Sequence, residues 1–307
     1  MTKRMPSLLA ALALLVGACS GGNSPAAPVV TSSALDTTGF LEYGAGTAPL
    51  VIVAPHGGSL KPLNLPDRNC SGCEYLADAN TEDLARLVVA AFERRTGKRP
   101  FLALNHLHRS KFDGNRDQAE ATGGNVILNG VWLGWQTTLD SAAVRAARVA
   151  GRALYVELHG HAHAVPRIEI GYLATAAQLR MSDAALTAAG VMRSSSITRL
   201  VSDTRSGASD VALLRGAPSL GALLVAAGYP AVPSPSDPAP KEGEDYFNGG
   251  YNTVRHGSLG GGMTDAVQLE CNYAGVRDTA ENRAMFAEAL SGALVEYFKK
   301  QYAWPSA

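Results

Sequence analysis

Basic runs are missing from this chain. Its 27 Lys and Arg balance 27 Asp and Glu to a net charge of zero, and no basic cluster follows the first residues, which argues against nucleic acid as a partner. Three catalytic signatures are absent as well. No Gly-Lys-Ser/Thr phosphate loop and no His-Glu-x-x-His occur, and the nearest approach to a nucleophile elbow, Ala217-Pro218-Ser219-Leu220-Gly221, lacks the first glycine and sits in a helical pattern;. Nucleotide hydrolases, that class of zinc peptidase and serine hydrolases are disfavoured accordingly. Cysteine is scarce at 4 residues and histidine at 7 of 307, so clustering of either carries information.

The amino terminus has the parts of an export signal: Lys3 and Arg4, the apolar run Leu8 to Val16, and Gly17-Ala18-Cys19;. The apolar run is too short to span a bilayer. Val16-Gly17-Ala18-Cys19 resembles the lipobox of bacterial lipoproteins, which predicts a signal peptide over 1–18, a lipidated Cys19 and a membrane-anchored protein of the cell envelope. Residues 19–47, rich in Gly, Ser, Ala, Pro and Thr, read as a flexible tether;. Residues 48–307, about 260 in all, suit a single core. In an exported chain Cys70-Ser71-Gly72-Cys73 predicts a small disulfide loop, and Cys271, after an apolar strand, a buried thiol.

Apolar runs ending in polar loops predict strands at Pro49–Ala54, Pro100–Asn105, Arg152–Val156, Arg167–Leu173 and Ala266–Glu270. Helical spacing of Leu84, Leu87, Val88, Ala91 and Phe92 predicts a helix from Asn80 to Gly97. Further helices are expected over 137–150, 176–189, 195–201, 218–227 and 280–297, with an extended proline-rich connection at 230–240. The glycine-rich stretch Tyr246–Ser258 reads either as a flap carrying Tyr251 and Arg255 or as a plain hairpin loop;.

Chemistry gathers at the ends of these elements. Glu157-Leu158-His159-Gly160-His161-Ala162-His163 places three imidazoles beside a carboxylate where a strand opens into a loop, His56 follows another strand, and Glu270 ends the last;. Glu82 falls in the first helical turn, where the dipole favours a carboxylate in any case. Two imidazoles and one carboxylate form a catalytic zinc set with one position left for water, and Glu270 is the candidate base. Arg109, Asn115 and Arg116 follow the second strand in a polar loop suited to a carboxylate ligand.

In this order, His56-Gly57-Gly58, Thr81-Glu82, Arg109, Asp113-Gly114-Asn115-Arg116, Glu157-Leu158-His159-Gly160, Gly249-Gly250-Tyr251-Asn252-Thr253 and Gln268-Leu269-Glu270 resemble the N-formylglutamate amidohydrolases, relatives of the zinc metallocarboxypeptidases. The resemblance implies an α/β fold, a single three-layer αβα domain around a mostly parallel or mixed sheet. It further implies one Zn2+ held by His56, Glu82 and His159, with Glu270 as general base and Arg109 polarising the scissile carbonyl. Asn115 and Arg116 would bind the substrate carboxylate, with Tyr251 and Arg255 also contacting substrate. Where carboxypeptidases carry their ligand Glu, three residues after the first His, this chain has Ser59. The expected activity is hydrolysis of an amide bond next to a free carboxylate, in an N-acyl amino acid such as N-formylglutamate or at a peptide end. Cell-wall or γ-glutamyl peptides are alternative substrates. A carboxylate- or metal-binding lipoprotein without activity is the alternative class, and Glu270 distinguishes the two, because a binding module needs no base.

Overall fold

The computed structural model describes residues 33–304; the predicted signal peptide and Cys19 lie outside them. Eight strands form one mixed sheet: β1 (Ser33–Leu35), β2 (Leu41–Gly44), β3 (Leu50–Ala54), β4 (Phe101–Asn105), β5 (Ala153–His161), β6 (Ile168–Gly171), β7 (Ala231–Val232) and β8 (Thr264–Asn272). Their order is β1-β2-β4-β3-β5-β8-β6-β7. The centre, β4-β3-β5-β8, is parallel, while β2 and β6 run antiparallel beside it.

Strand alternation divides the core into two layers. Leu50, Ile52, Leu154, Val156, Leu158, Val267 and Leu269 face the helices Thr81–Thr96 and Ala280–Tyr297. Val51, Val53, Phe101, Tyr155 and Ala266 face the helix Val126–Ala150, which presents Leu128, Val131, Trp135 and Leu139. Both faces are covered, as the near-continuous apolar runs of parallel strands require. Each large side chain buried here contributes about 1.5–3 kcal/mol. No described helix is long and apolar enough to cross a membrane.

Several expectations change, the helix expected over 176–189 being two, Ala176–Leu179 and Asp183–Ala188. The tether predicted over 19–47 ends earlier, because Ser33–Leu35 and Leu41–Gly44 pair with each other and with β4 as part of the sheet. The helix expected from 137 begins at Val126, where Asn125 accepts hydrogen bonds from the Ile127 and Leu128 amides;. The flap expected at Tyr246–Ser258 contains the helix Tyr251–His256, with Asn252, Thr253 and His256 buried. By contrast the Cys70–Cys73 disulfide forms, and Cys271 is a buried free thiol.

A polar cluster joins the added strands to the domain. Arg86 donates through both terminal nitrogens to Glu42, and His106 bridges Glu82 (Nδ1, 3.0 Å) and Glu42 (Nε2, 3.0 Å). Bonding two carboxylates at once calls for the imidazolium form. The Glu82 hydrogen bond, outweighing burial, raises the His106 pKa above its ordinary value. A raised folded pKa means that this contribution is complete below about pH 6.5 and lost as the pH rises through the folded value. His106→Gln should therefore destabilise the protein by about 1 kcal/mol at pH 6 and by less at pH 9. Urea unfolding at the two pH values checks this; an equal difference at both would show that the imidazolium does not hold the cluster.

Candidate metal centre

Adjacent parallel strands β3, β5 and β8 end on the same side of the sheet, so the residues beyond their last apolar positions converge. On the Tyr155 face of β5 the sequence changes from Ala153 and Tyr155 to Glu157, His159 and His161. The strand continues to His161 rather than opening into a loop at His159. Register then sets His159 opposite Glu270 and Glu157 opposite Gln268 on β8, and Glu169 of β6 opposite Glu270 from the other side.

His56, just beyond β3, meets this face at a ring-centroid distance of 4.8 Å from His159. The turn after it closes tightly, because a Cβ on Gly57 would lie 2.6 Å from Thr81 Oγ1 and 2.8 Å from the Glu82 amide nitrogen;. Glu82, expected as the third ligand, lies outside the group, its carboxylate engaged by His106. The carboxylate that the irregular segment before the helix carries in beside the two imidazoles is that of Asp78. The Asp78 amide donates to the His56 carbonyl (2.9 Å), and the Asp78 carbonyl accepts from Thr81 Oγ1 (2.9 Å). His56, Asp78 and His159, all buried, form a group able to hold a metal ion.

The outer partners fix the tautomers. His56 Nε2 donates to Asp113 (2.6 Å), which also accepts from Arg109 Nε and the Asn115 amide. His159 Nε2 donates to Glu157 (2.7 Å), which also accepts from Tyr155 Oη and Asn252 Nδ2. Burial pushes both carboxyls up, but the imidazoles hold them below their ordinary values. With both Nε2 protons committed, each Nδ1 faces Asp78 Oδ2, at 3.4 Å from His56 and 3.1 Å from His159, where the His159 imidazolium donates its second proton. Metal-bound histidines are oriented by second partners of this kind.

These residues fit a cation. His56 Nδ1 is buried without a hydrogen-bond partner among the described residues, an arrangement that costs stability unless something electron-poor occupies the gap. Bonds of about 2.0–2.2 Å to a tetrahedral ion set ligand atoms roughly 3.3 Å apart, close to both Nδ1–Oδ2 separations. Burial works against a charged His159, yet Asp78 and Glu157 outweigh it and push the pKa to about 10. A bound cation would supply the positive charge that this proton supplies.

A cavity of about 270 Å³ opens over the centre, lined also by Arg109, Arg116, His163, Phe247 and Glu270. Glu270 is buried, and Gln268 Nε2 donates to one of its oxygens (2.8 Å). Burial, with Asp78 and Glu169 nearby and against the pull of His159, raises its pKa to about 7. Arg109 bonds Asp113 through Nε (3.0 Å) and lies with Nη1 3.9 Å from Asp78. Arg116 is partly committed to Glu120 and the Asn115 carbonyl. Asn115 lines the cavity, but its oxygen accepts from the Asn252 amide (2.8 Å) and its nitrogen lies near Gln268 and His159, so its amide serves the interior. Tyr251 and Arg255 are elsewhere: both pack against Trp132, and Arg255 pairs with Asp140.

His161, His163 and Glu169 make a second cluster of metal-ligand type. There, however, His161 Nε2 bonds the Arg167 carbonyl (2.8 Å) and His161 Nδ1 accepts from the His163 amide (3.1 Å). Both ring nitrogens are spent, and the first group is the better site. Asp78 and Asp113 carry no assignment from sequence, since neither ends a strand; the closeness of Asp113 to the Asn115-Arg116 motif was the available signal.

No family model and no curated protein matches the chain. Among solved structures, it is similar to an N-formylglutamate amidohydrolase from Ralstonia eutropha at 13% identity and TM-score 0.52, covering 84% of this chain and 98% of that one. A gene product of Agrobacterium tumefaciens aligns at 12% identity and TM-score 0.49, over 85% and 95%. The fold is thus that of the amidohydrolase structure.

Asp78→Asn and His159→Ala should each weaken divalent metal binding by more than about a hundredfold, beyond the loss typical of an outer partner, whereas Glu82→Gln should retain it. Metal content after dialysis, measured by plasma mass spectrometry, decides between Asp78 and Glu82.

Proposed function

We propose that this protein is a zinc-dependent hydrolase that cleaves an amide bond adjacent to a free carboxylate, in an N-acyl amino acid such as N-formylglutamate or at a peptide end. The observation that carries the reading is Glu270, a buried carboxylate in the same cavity as a His-Asp-His group whose histidines both turn Nδ1 inward. His56, Asp78 and His159 would hold the ion. Bound there, zinc lowers the pKa of a water from about 15.7 toward 7 and polarises a carbonyl.

The chain supplies the rest. Glu270, one oxygen fixed by Gln268, takes the proton of the attacking water and returns it to the leaving amine; a carboxylate with a pKa of about 7 is matched to both transfers at neutral pH;. Arg109, held by Asp113 at the cavity wall, stabilises the developing oxyanion;. Arg116 meets the substrate carboxylate, its Nη2 having no partner among the described residues. An export signal and lipidated Cys19 would place substrate and enzyme in the cell envelope, where cell-wall and γ-glutamyl peptides belong to the same chemical class.

Glu270→Gln should leave metal binding intact and lower kcat by at least about a hundredfold. In the wild type kcat/KM should rise as the pH increases through about 7, since the base must lose its proton. Metal retention with unchanged turnover in the variant would remove Glu270 from the chemistry, and no turnover of any N-acyl amino acid or peptide would favour a binding protein.

Replacing the free carboxylate of a substrate by an amide should lower kcat/KM by roughly a hundredfold, because a charged hydrogen bond is worth about 1.5–3 kcal/mol and its loss strands a guanidinium. Arg109→Ala should reduce kcat with little change in KM. Steady-state kinetics on matched acid and amide substrates measures both; equal wild-type rates would dispose of the carboxylate clamp.

A further inference from the structure

Gly160 lies between His159 and His161, and the reason for a glycine there is Arg277. A Cβ at Gly160 would lie 2.1 Å from Arg277 Cζ and 2.4 and 2.5 Å from its terminal nitrogens. The guanidinium fills that space and cannot swing away freely, because it is buried and bonded on three sides. Its Nε donates to the Cys271 carbonyl of β8 (2.8 Å), Nη2 to the His161 carbonyl of β5 (3.2 Å), and Nη1 to the carbonyl of Ala79, the residue after Asp78.

The same residue holds the segment from the other side. Asn80, in the left-handed region at φ 68°, donates Nδ2 to the Arg277 carbonyl (2.8 Å). A side-chain-bearing residue occupies that region only when its surroundings enforce it. Asp78 lies in no regular element. Its backbone is tied inward through the His56 carbonyl and to the helix start through Thr81, and the guanidinium is the tie that joins its segment to the strands carrying His159 and Glu270.

We propose that Arg277 is the positioning residue of the metal centre, fixing the Asp78 segment against β5 and β8, and that Gly160 lacks a side chain to admit it. This rests on the reading of His56, Asp78 and His159 as the metal ligands. Arg277 touches no ligand side chain and acts through the backbone. A lysine keeps the charge but not the planar fork that meets three carbonyls.

The test uses the wild type, Arg277→Lys, Arg277→Ala, Gly160→Ala and the Gly160→Ala/Arg277→Ala double variant. Two readouts are needed: hydrogen exchange of the metal-free proteins, and zinc affinity by competition with a chromophoric chelator. Exchange across residues 77–81 should quicken at least about tenfold in Arg277→Lys and Arg277→Ala, with the helix Val126–Ala150 unaffected. Zinc affinity should fall roughly 10- to 100-fold, the range for loss of an orienting partner. Gly160→Ala alone should do the same, yet add little in the Arg277→Ala background, because the clashing group is gone. Unchanged exchange over 77–81, unchanged zinc affinity despite quickened exchange, or additive effects of the two substitutions would each overturn the proposal. A wild type that binds no zinc would instead sink the metal-ligand reading, and the exchange measurement would still decide the clamp.

Discussion

The site depends on two buried proton positions. Asp113 and Glu157 accept the Nε2 protons of His56 and His159, and the arrangement inward of the imidazoles is set by that choice. Were either carboxylate missing, the ring could keep its last proton at Nδ1, and a cation beside Asp78 would meet a donor there in place of an electron pair. Each acid is therefore enclosed by further donors. Arg109 and the Asn115 amide reach Asp113, and Tyr155 and Asn252 reach Glu157.

Such enclosure is expensive. Asp78 and Glu270 at the cavity and Asp113, Glu157 and Glu169 behind them are all buried, and isolated buried carboxylates cost several kcal/mol each. Hydrogen bonds distribute this cost through the surrounding layer. Asn252 bonds Gln136, which bonds His256, so the interior of the Tyr251–His256 helix is tied to the His159 side of the site. Arg68 reaches the Arg109 and Glu74 carbonyls, Cys73 and Asp113, and so ties the disulfide loop to the His56 side. Scaffold and site thus share one hydrogen-bonded network.

Much of the frame was legible in the residues. β3, β4, β5 and β8 are runs of apolar side chains that only a strand buried on both faces makes sense of, and His56, His159 and Glu270 stand at their ends. The resemblance to the amidohydrolases was legible in the order of motifs, and the shared fold supports it at the level of architecture while leaving substrate and ion open. Asp78 was not legible. It lies in an irregular segment and reaches the centre through backbone bonds that no periodicity announces, whereas Glu82 has a conspicuous place in a helical turn and is spent on His106. Tyr251 and Arg255 misled for a related reason: glycines flanking a short helix look like a loop, and the burial of Asn252 and Thr253 is a tertiary fact. β1 and β2 escaped because strands of three and four residues among Gly, Thr and Ala are too short to show alternation.

The sheet order has one more consequence, for how the molecule behaves in company. Among the described residues its two outermost strands, β1 and β7, are its shortest, at three and two residues. Pro233 follows β7 directly and offers no amide for a ladder. The long apolar strands that build the frame of the site are all interior, each already paired on both sides. Among the described residues a neighbouring chain finds little open backbone on which to add a strand, an arrangement that disfavours edge-to-edge association;.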